Sequence, residues 1–577
     1  MASNLRISIG QHSDKGLKQT NQDFYGALIP TEPQLSMKGI SICLADGISS
    51  SNVSQVASES AVKSFLTDYY CTSESWSVKT SAYRVMAATN SWLHAETRHS
   101  QFRYDIDKGY VCTLSAMVIK ATTAHVFHVG DARIYRLSGS SLEQLTIDHR
   151  VRVSPEESYL GRAMGMNPEI EIDYQALQVE RGDLFILATD GAYEHVDARF
   201  IIKAIKENSE DLDVAAAKIV REALLKGSAD NVTIQIVRIE ELPEREAIEV
   251  FGGSSVLPLP PLLNARMNFD GFQIVRELHA SSRSHIYLGI DSETGVLSAI
   301  KIPSIDLRGE PAYIKRLMME EWVARRIDNP HVLKAGLQAR KRNYLYVTTE
   351  FVDGQTLTQW MIDNPKPYVE TVRGIVEQIA RGLRAFHRKE MLHQDLRPEN
   401  IMIDKTGTVK IIDFGSTKVA GVVEAAPSTE QKDILGTVQY TAPEYFFGEE
   451  GSPRSDMFSL GVITYQMLTG KLPYGAEAAR MRTKSQFGKL RYISALDDNR
   501  AIPAWIDGVL EKAVNLDPNK RYESLSEFVF DLRHPNSKYL RSTRPPLLER
   551  NSQIFWKCLT LFLLCIILFL LIKLRNA

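Results

Sequence analysis

The first half of the chain alternates apolar and polar residues in short runs, the period of a β-strand. Leu5-Ile7-Ile9, Ile40-Ile42-Leu44, Val126-His128-Gly130 and Val232-Ile234-Ile236 each show it. Helical stretches are read at about 52–70, 81–100 and 211–226. Together these predict a mixed α/β region with antiparallel strands. The second half opens with strand-like segments at 272–278, 285–290 and 297–302 and becomes mainly helical after about residue 355. A small β-rich lobe is therefore followed by a larger helical one.

Between the halves, residues 241–267 carry Gly252-Gly253-Ser254-Ser255 and then Pro258, Pro260 and Pro261. Flexible glycine and serine followed by stiffer proline is linker chemistry. Two folded regions result, 1–240 and 268–535, with a basic segment at 536–553 after them.

The end of the chain departs from every periodicity. Leu559 to Ile572 contains no charged residue, and the apolar run reaches back to Ile554 if Lys557 is tolerated. At ~1.5 Å per residue, residues 554–572 nearly match a hydrocarbon core of ~30 Å, with Lys557 able to snorkel. A buried helix would keep a polar stripe, but Leu, Ile and Phe cover every face here. Arg533, Lys538, Arg541, Arg544 and Arg550 precede the span and favour a cytoplasmic side. The expectation is one C-terminal transmembrane helix, tail-anchoring the catalytic domains on the cytoplasmic side of the cell membrane. Met1 to Asp14 lacks a basic segment followed by an apolar run, so no secretory signal is read.

Composition narrows the chemistry. The 577 residues are too many for one core. A net charge of −2 argues against nucleic acid as a partner, since a phosphate-binding surface needs a basic excess. The cysteines are Cys43, Cys71, Cys112, Cys558 and Cys565, with no CxxC pair and no arginine six residues after any of them. That argues against a zinc site, a redox couple and a cysteine-nucleophile phosphatase loop. The thiols read as small packed hydrophobes.

Acidic residues recur where an apolar strand meets a turn: Asp46-Gly47, Asp131, Asp190-Gly191 and Asp230-Asn231, with Asp23 as a fifth. A single Asp-Gly reads as a turn. Carboxylates on several rigid strand ends can instead converge on one point, as hard divalent cations require. The ordered series NQDFYG, LADGISS, HVGDARIYRL, DHRV, GRAMG, LATDGAYEHV and SADNVTIQIV closely resembles that of PPM-type metal-dependent protein phosphatases, over about residues 5–240. The resemblance implies two packed antiparallel sheets flanked by helices, with a binuclear manganese or magnesium site. It implies that Asp46 bridges the metals with the Gly47 carbonyl and that Asp190 and Asp230 complete the first. It also implies that Asp131 and Asp190 form a third, weaker site and that Asp23 partners bound water. Water then attacks phosphorus in line, without a covalent intermediate.

Two departures stand out. Lys18 occupies the place of an arginine that grips the substrate phosphate, and lysine cannot do so bidentately. Asp46-Gly47-Ile48-Ser49-Ser50 replaces Asp-Gly-x-Gly-Gly, which stiffens the loop.

Residues 270–535 carry a second ordered set: Ala299-Ile300-Lys301, Glu320, His393-Gln394-Asp395-Leu396-Arg397-Pro398-Glu399-Asn400, Asp413-Phe414-Gly415, Ala442-Pro443-Glu444, Asp456 and Arg521. The set resembles the bilobal Ser/Thr protein kinases. That implies an ATP site in which Lys301 holds the α- and β-phosphates and pairs with Glu320, with Glu321 as runner-up. It implies that Asp395 accepts the substrate hydroxyl proton and that Asn400 and Asp413 bind magnesium. Arg397 keeps a positive charge near the transferred group. In the nucleotide loop, aligning Leu278 and Ile286 places His279, Ser281 and Ser284 at three glycine positions. Side chains there lift the loop from the phosphates.

The leading expectation is a membrane-held enzyme that both phosphorylates and dephosphorylates Ser/Thr in proteins. The alternative is an active phosphatase whose kinase-like half senses nucleotide or serves as a scaffold. A chain ending before Ile554 should lose its membrane affinity. Fractionation of cells expressing both forms checks this, and full-length protein in the detergent-free soluble fraction would overturn it.

Overall fold

The computed structural model describes residues 5–243, 257–425, 439–475 and 502–536, apart from 140, 153–157, 282–283, 305–310 and 337–341. It also describes 484–487, 489–496, 539, 556–557 and 559–564. The chain divides into two compact units. The first comprises 1–256 with 389–391 and 418–430, and the second 257–388, 392–417 and 431–577.

The first unit is built on twelve described strands. These are β1 (Arg6–Asp14), β2 (Phe24–Leu28), β3 (Ile40–Ala45), β4 (Leu114–Lys120), β5 (Thr123–Val129) and β6 (Arg133–Ser138). They continue as β7 (Ser141–Gln144), β8 (Arg150–Arg152), β9 (Ser158–Leu160), β10 (Asp173–Gln178), β11 (Leu184–Ala188) and β12 (Val232–Glu241). One five-stranded sheet runs β1-β12-β11-β6-β7 and the other β10-β5-β4-β3-β2, with β8 and β9 as a separate hairpin. Every pairing recorded in the two large sheets is antiparallel.

The period-2 pattern here does not mark a wet face, because β3 and β4 are buried along their whole length. Ile40, Ile42 and Leu44 pack with Phe185, Leu187 and Val237 of the facing sheet. Cys43 and Ala45 point to a second core formed with the helices Ser54–Cys71 and Val78–His99. Ser41 is buried, with its hydroxyl taken by Tyr70 Oη at 3.1 Å. Helix ends follow local capping. Ser77 caps Val78–His99 through Thr80 N, starting that helix three residues before the expected position. Asp211 caps Leu212–Leu225.

In the second unit, β13 (Asn268–Phe269), β14 (Phe272–Ala280), β15 (Ser284–Asp291), β16 (Leu297–Pro303) and β17 (Val347–Glu350) form one sheet in sequential order. The helix Pro311–Arg326 accompanies it. The rest is mainly helical, around Val369–His387 and the largely buried Pro453–Thr469. Buried Arg521 grips Glu444 through two bonds of 2.8 Å, and Ser455 Oγ donates to the same carboxylate at 2.7 Å.

Among the described residues no helix is long and apolar enough to cross a membrane. The expected span at 554–572 lies largely outside them, as do linker residues 244–256 and most of the basic 536–553 segment. Of the cysteines, Cys43 and Cys112 are buried as expected, whereas Cys71 is exposed at the end of its helix.

Gly10 on β1 lets the helix Leu212–Leu225 approach closely, since a Cβ there would fall 2.0 Å from the backbone carbon of Leu212. Backbone cannot yield cheaply, so Gly10→Ala should destabilise the first unit by about 1–3 kcal/mol. Its denaturant midpoint measures this, and an unchanged midpoint refutes the packing.

Candidate functional sites

In the first unit the strand ends deliver the acids. Asp46 follows β3, Asp131 lies between β5 and β6, Asp190 opens the short helix after β11, and Asp230 precedes β12. Their proximity shows in their electrostatics. Burial, then the charges of Asp23, Asp190 and Asp131, raise the Asp46 carboxyl well above the usual range. Burial, then Asp131 and Asp230, push Asp190 up to about 7, with Arg150 opposing. Burial pushes Asp23 up to about 6, against hydrogen bonds from Thr233 and Thr189.

Backbone and hydroxyl contacts hold these acids in place. Thr233 Oγ1 and Thr189 Oγ1 donate to Asp23 Oδ2 at 2.6 and 3.1 Å. Thr113 Oγ1 accepts from Asp46 N at 2.9 Å. Gly47 N donates to Gln22 O at 3.2 Å, and a Cβ on Gly47 would meet Gln22 O and the Ser54 backbone at 2.9 Å. Asn231, buried beside Asp230, accepts from Gln22 N at 2.9 Å and donates to Lys15 O at 2.9 Å and Thr20 O at 3.2 Å.

Lys18 and Ser49, the two departures from the family pattern, meet each other. Lys18 Nζ donates to Ser49 Oγ at 2.9 Å and pairs with Asp230 Oδ1 at 3.2 Å. Ser49 Oγ in turn donates to Asp230 Oδ2 at 3.3 Å. The residue expected to meet a substrate phosphate is thus held against an expected metal ligand.

The donors suit hard divalent cations. They are carboxylate oxygens whose mutual repulsion a cation would relieve, and Asp23 Oδ1 is buried without a hydrogen-bond partner among the described residues. No group of three or more Asp, Glu, His or Cys is already close enough to hold an ion among the described residues. The Asp131–Asp190 pair does not suit a third ion. Arg150 Nε bonds Asp131 Oδ2 at 2.5 Å, its Nη2 bonds Asp190 Oδ2 at 2.8 Å, and its Nη1 bonds Glu194 Oε1 at 3.1 Å.

In the second unit, Lys301 Nζ on β16 lies 2.6 Å from Glu320 Oε2 and 3.7 Å from Asp413 Oδ1. The Lys301 ammonium holds the Asp413 carboxyl below the usual range against the effect of burial. Glu321 is engaged elsewhere, by Arg342 at 2.6 Å and by Arg325. Asn400 Nδ2 donates to Asp395 O at 2.9 Å and Oδ2 at 3.2 Å. Buried Asp456 pins the same loop, accepting from His393 N and Gln394 N at 3.1 Å each and from His387 Nε2 at 2.9 Å. Phe414 packs on Phe386 and His393, fixing the residue next to Asp413. Arg397 pairs with Glu399 at 3.5 Å. Lys301, Asn400 and Asp413 thus suit a magnesium nucleotide.

The hairpin of β14 and β15 sets His279 opposite Ile286, with an irregularity beside Leu278. Ser281 N and Oγ donate to Ser284 O at 3.0 and 3.1 Å, and Ser284 N donates back to Ser281 Oγ at 3.1 Å. These serines close the hairpin on itself. Residues 282–283 lie outside the described ones.

Two family models match separate regions of the chain. Residues 11–226 match the family described as Protein phosphatase 2C, and residues 272–529 match the Protein kinase domain family. The chain carries a phosphatase domain of the 2C type and a Ser/Thr protein kinase domain.

Over 262 residues it is 28% identical to Serine/threonine-protein kinase PrkC of Bacillus subtilis, covering 45% of this chain and 40% of that protein. Over 214 residues it is 29% identical to Serine/threonine-protein kinase PknA of Mycobacterium tuberculosis, covering 36% and 49%. The chain thus spans less than half the length of these relatives. Among solved structures, the M. tuberculosis phosphatase PstP/Ppp shows 22% identity and a TM-score of 0.35, covering 41% of this chain and 99% of that one. The M. tuberculosis PknI kinase domain shows 24% and 0.38, covering 48% and 100%.

The sequence brings out the acids at the strand ends but gives no role to Arg150, His149, Thr189, Thr233 or Glu194. Asp-His-Arg-Val was the available signal for the first two, and only the fold shows what they touch. The pairing of Lys301 with Glu320 rather than Glu321 has a direct check. Glu320→Ala should cut phosphotransfer by ~100-fold or more. Glu321→Ala should lower the melting temperature instead, because it strands Arg342. The reverse pattern overturns the assignment.

Proposed function

We propose that this chain is a bifunctional signalling enzyme, phosphorylating Ser/Thr in protein substrates with ATP and hydrolysing phospho-Ser/Thr with manganese or magnesium. One observation carries the reading: in both domains the acids each reaction needs are gathered on rigid elements. In the kinase domain, Lys301 stands between Glu320 and Asp413 while Asn400 orients Asp395. Asp395 would take the proton of a substrate hydroxyl, and Lys301 would hold the nucleotide phosphates.

In the phosphatase domain, Asp46, Asp190 and Asp230, with the Gly47 carbonyl, would hold the cations, and Asp23 would orient water beside them. Divalent cations bound there supply a more acidic water and neutralise charge on the phosphoryl oxygens. Thr189 and Thr233 keep Asp23 oriented. The tail at 554–572 holds both domains at a membrane, the domains cytoplasmic. Exposure of Trp556, Leu561, Phe562, Leu563 and Leu564 supports this reading.

The serine-closed hairpin favours a second reading, in which the kinase domain senses nucleotide or acts as a scaffold while the phosphatase works. Purified protein with labelled ATP and a phosphopeptide separates the two. Asp395→Asn should lower phosphotransfer by ~100-fold or more and spare phosphopeptide hydrolysis. Asp46→Ala should do the reverse. Hydrolysis without transfer selects the second reading, and hydrolysis that survives Asp46→Ala sinks the metal assignment.

A further inference from the structure

We propose that Arg150 is a built-in cation, whose guanidinium holds the place between Asp131 and Asp190 where the family resemblance expects a third, weaker metal ion. The inference rests on the phosphatase reading of the acidic cluster. Each guanidinium nitrogen is already bonded to a carboxylate, Nε to Asp131, Nη2 to Asp190 and Nη1 to Glu194. That geometry distinguishes it from an arginine poised for a substrate phosphate, which would turn its fork outward.

Local structure fixes the placement. His149 N donates to Gly130 O at 2.8 Å, and Gly130 N donates to His149 Nδ1 at 3.0 Å. His149 Nε2 donates to Asp173 Oδ2 at 2.9 Å, which sets the tautomer and the ring. The residue before Arg150 is thereby tied on both sides to the residue before Asp131. Tyr193 Oη donates to Asp131 O at 3.0 Å, tying Asp131 to the helix that begins with Asp190. Arginine and both carboxylates therefore move as one body.

The chemistry is that of substitution. A guanidinium is permanently charged, planar and weakly hydrated, so it spans two carboxylates without exchanging with solvent. It supplies one positive charge where a metal would supply two, and it coordinates no water. The site is left with the binuclear centre at Asp46 and a fixed, non-dissociable charge beside it. Removing that charge leaves Asp131 and Asp190 facing each other, the arrangement that invites a hard cation.

Equilibrium dialysis of the full-length, detergent-solubilised chain against manganese, without nucleotide, tests this by counting bound ions. Arg150→Ala and Arg150→Gln should each bind about one more ion per chain than the native protein. Adding Asp131→Asn to Arg150→Ala should remove that ion, while Asp131→Asn alone should leave the native count unchanged. The proposal is overturned if Asp131→Asn alone lowers the native count, or if neither Arg150 variant gains an ion. Asp46→Ala separates the two levels of failure. If it removes ions while the Arg150 arms fail, only this proposal falls. If it removes none, the phosphatase reading falls and this proposal with it.

Discussion

Carboxylates in a partly buried site repel one another, and the phosphatase domain is arranged around keeping several of them together. The cost is visible in how far Asp46, Asp23 and Asp190 are displaced from ordinary carboxylate behaviour. Flexible loops would relieve it by moving apart. Strand ends cannot, because β3, β11 and β12 are locked into antiparallel ladders and covered on both faces by apolar side chains. The rigidity of the two sheets therefore holds the acids near one another.

The kinase domain meets the same difficulty with the opposite device. There the acids are given a cation of the chain's own, Lys301, shared by buried Glu320 and half-exposed Asp413. Buried Asp456 accepts from two backbone amides and His387, and so holds the loop that carries Asp395. Such charge-assisted bonds in a dry interior fix backbone more firmly than neutral ones. The hairpin of β14 and β15 follows neither scheme, being closed by its own serines.

The chain's own cations also reach the phosphatase acids from two sides. Lys18 lies against Asp230, and Arg150 spans Asp131 and Asp190. Both are substituents on loops or a short hairpin rather than on the core sheets, which makes this charge pattern adjustable without disturbing the fold. Ser49 shows how the adjustment is coordinated, since it bonds both Lys18 and Asp230 from a position where the family pattern has glycine.

The strand and helix series, and the acids that stand at strand ends, were legible in the sequence, whereas Glu194 beside Arg150 was not. Each rests on local rules: period, capping residues and motifs whose order is set along the chain. A cap moved one boundary, Ser77 starting Val78–His99 ahead of its expected position. What the sequence could not contain is pairing across distance. That β3 is buried on both faces depends on the helices and the facing sheet arriving together. That Glu320 rather than Glu321 meets Lys301 depends on which face of a helix packs inward, where Arg342 claims the neighbour. Arg150 bridges carboxylates 19 and 40 residues away, so its partners exist only once the sheets have closed. Sequence fixes which charged groups are present. Tertiary structure decides which of them neutralise one another, because Coulomb energy depends on separation in space and not along the chain.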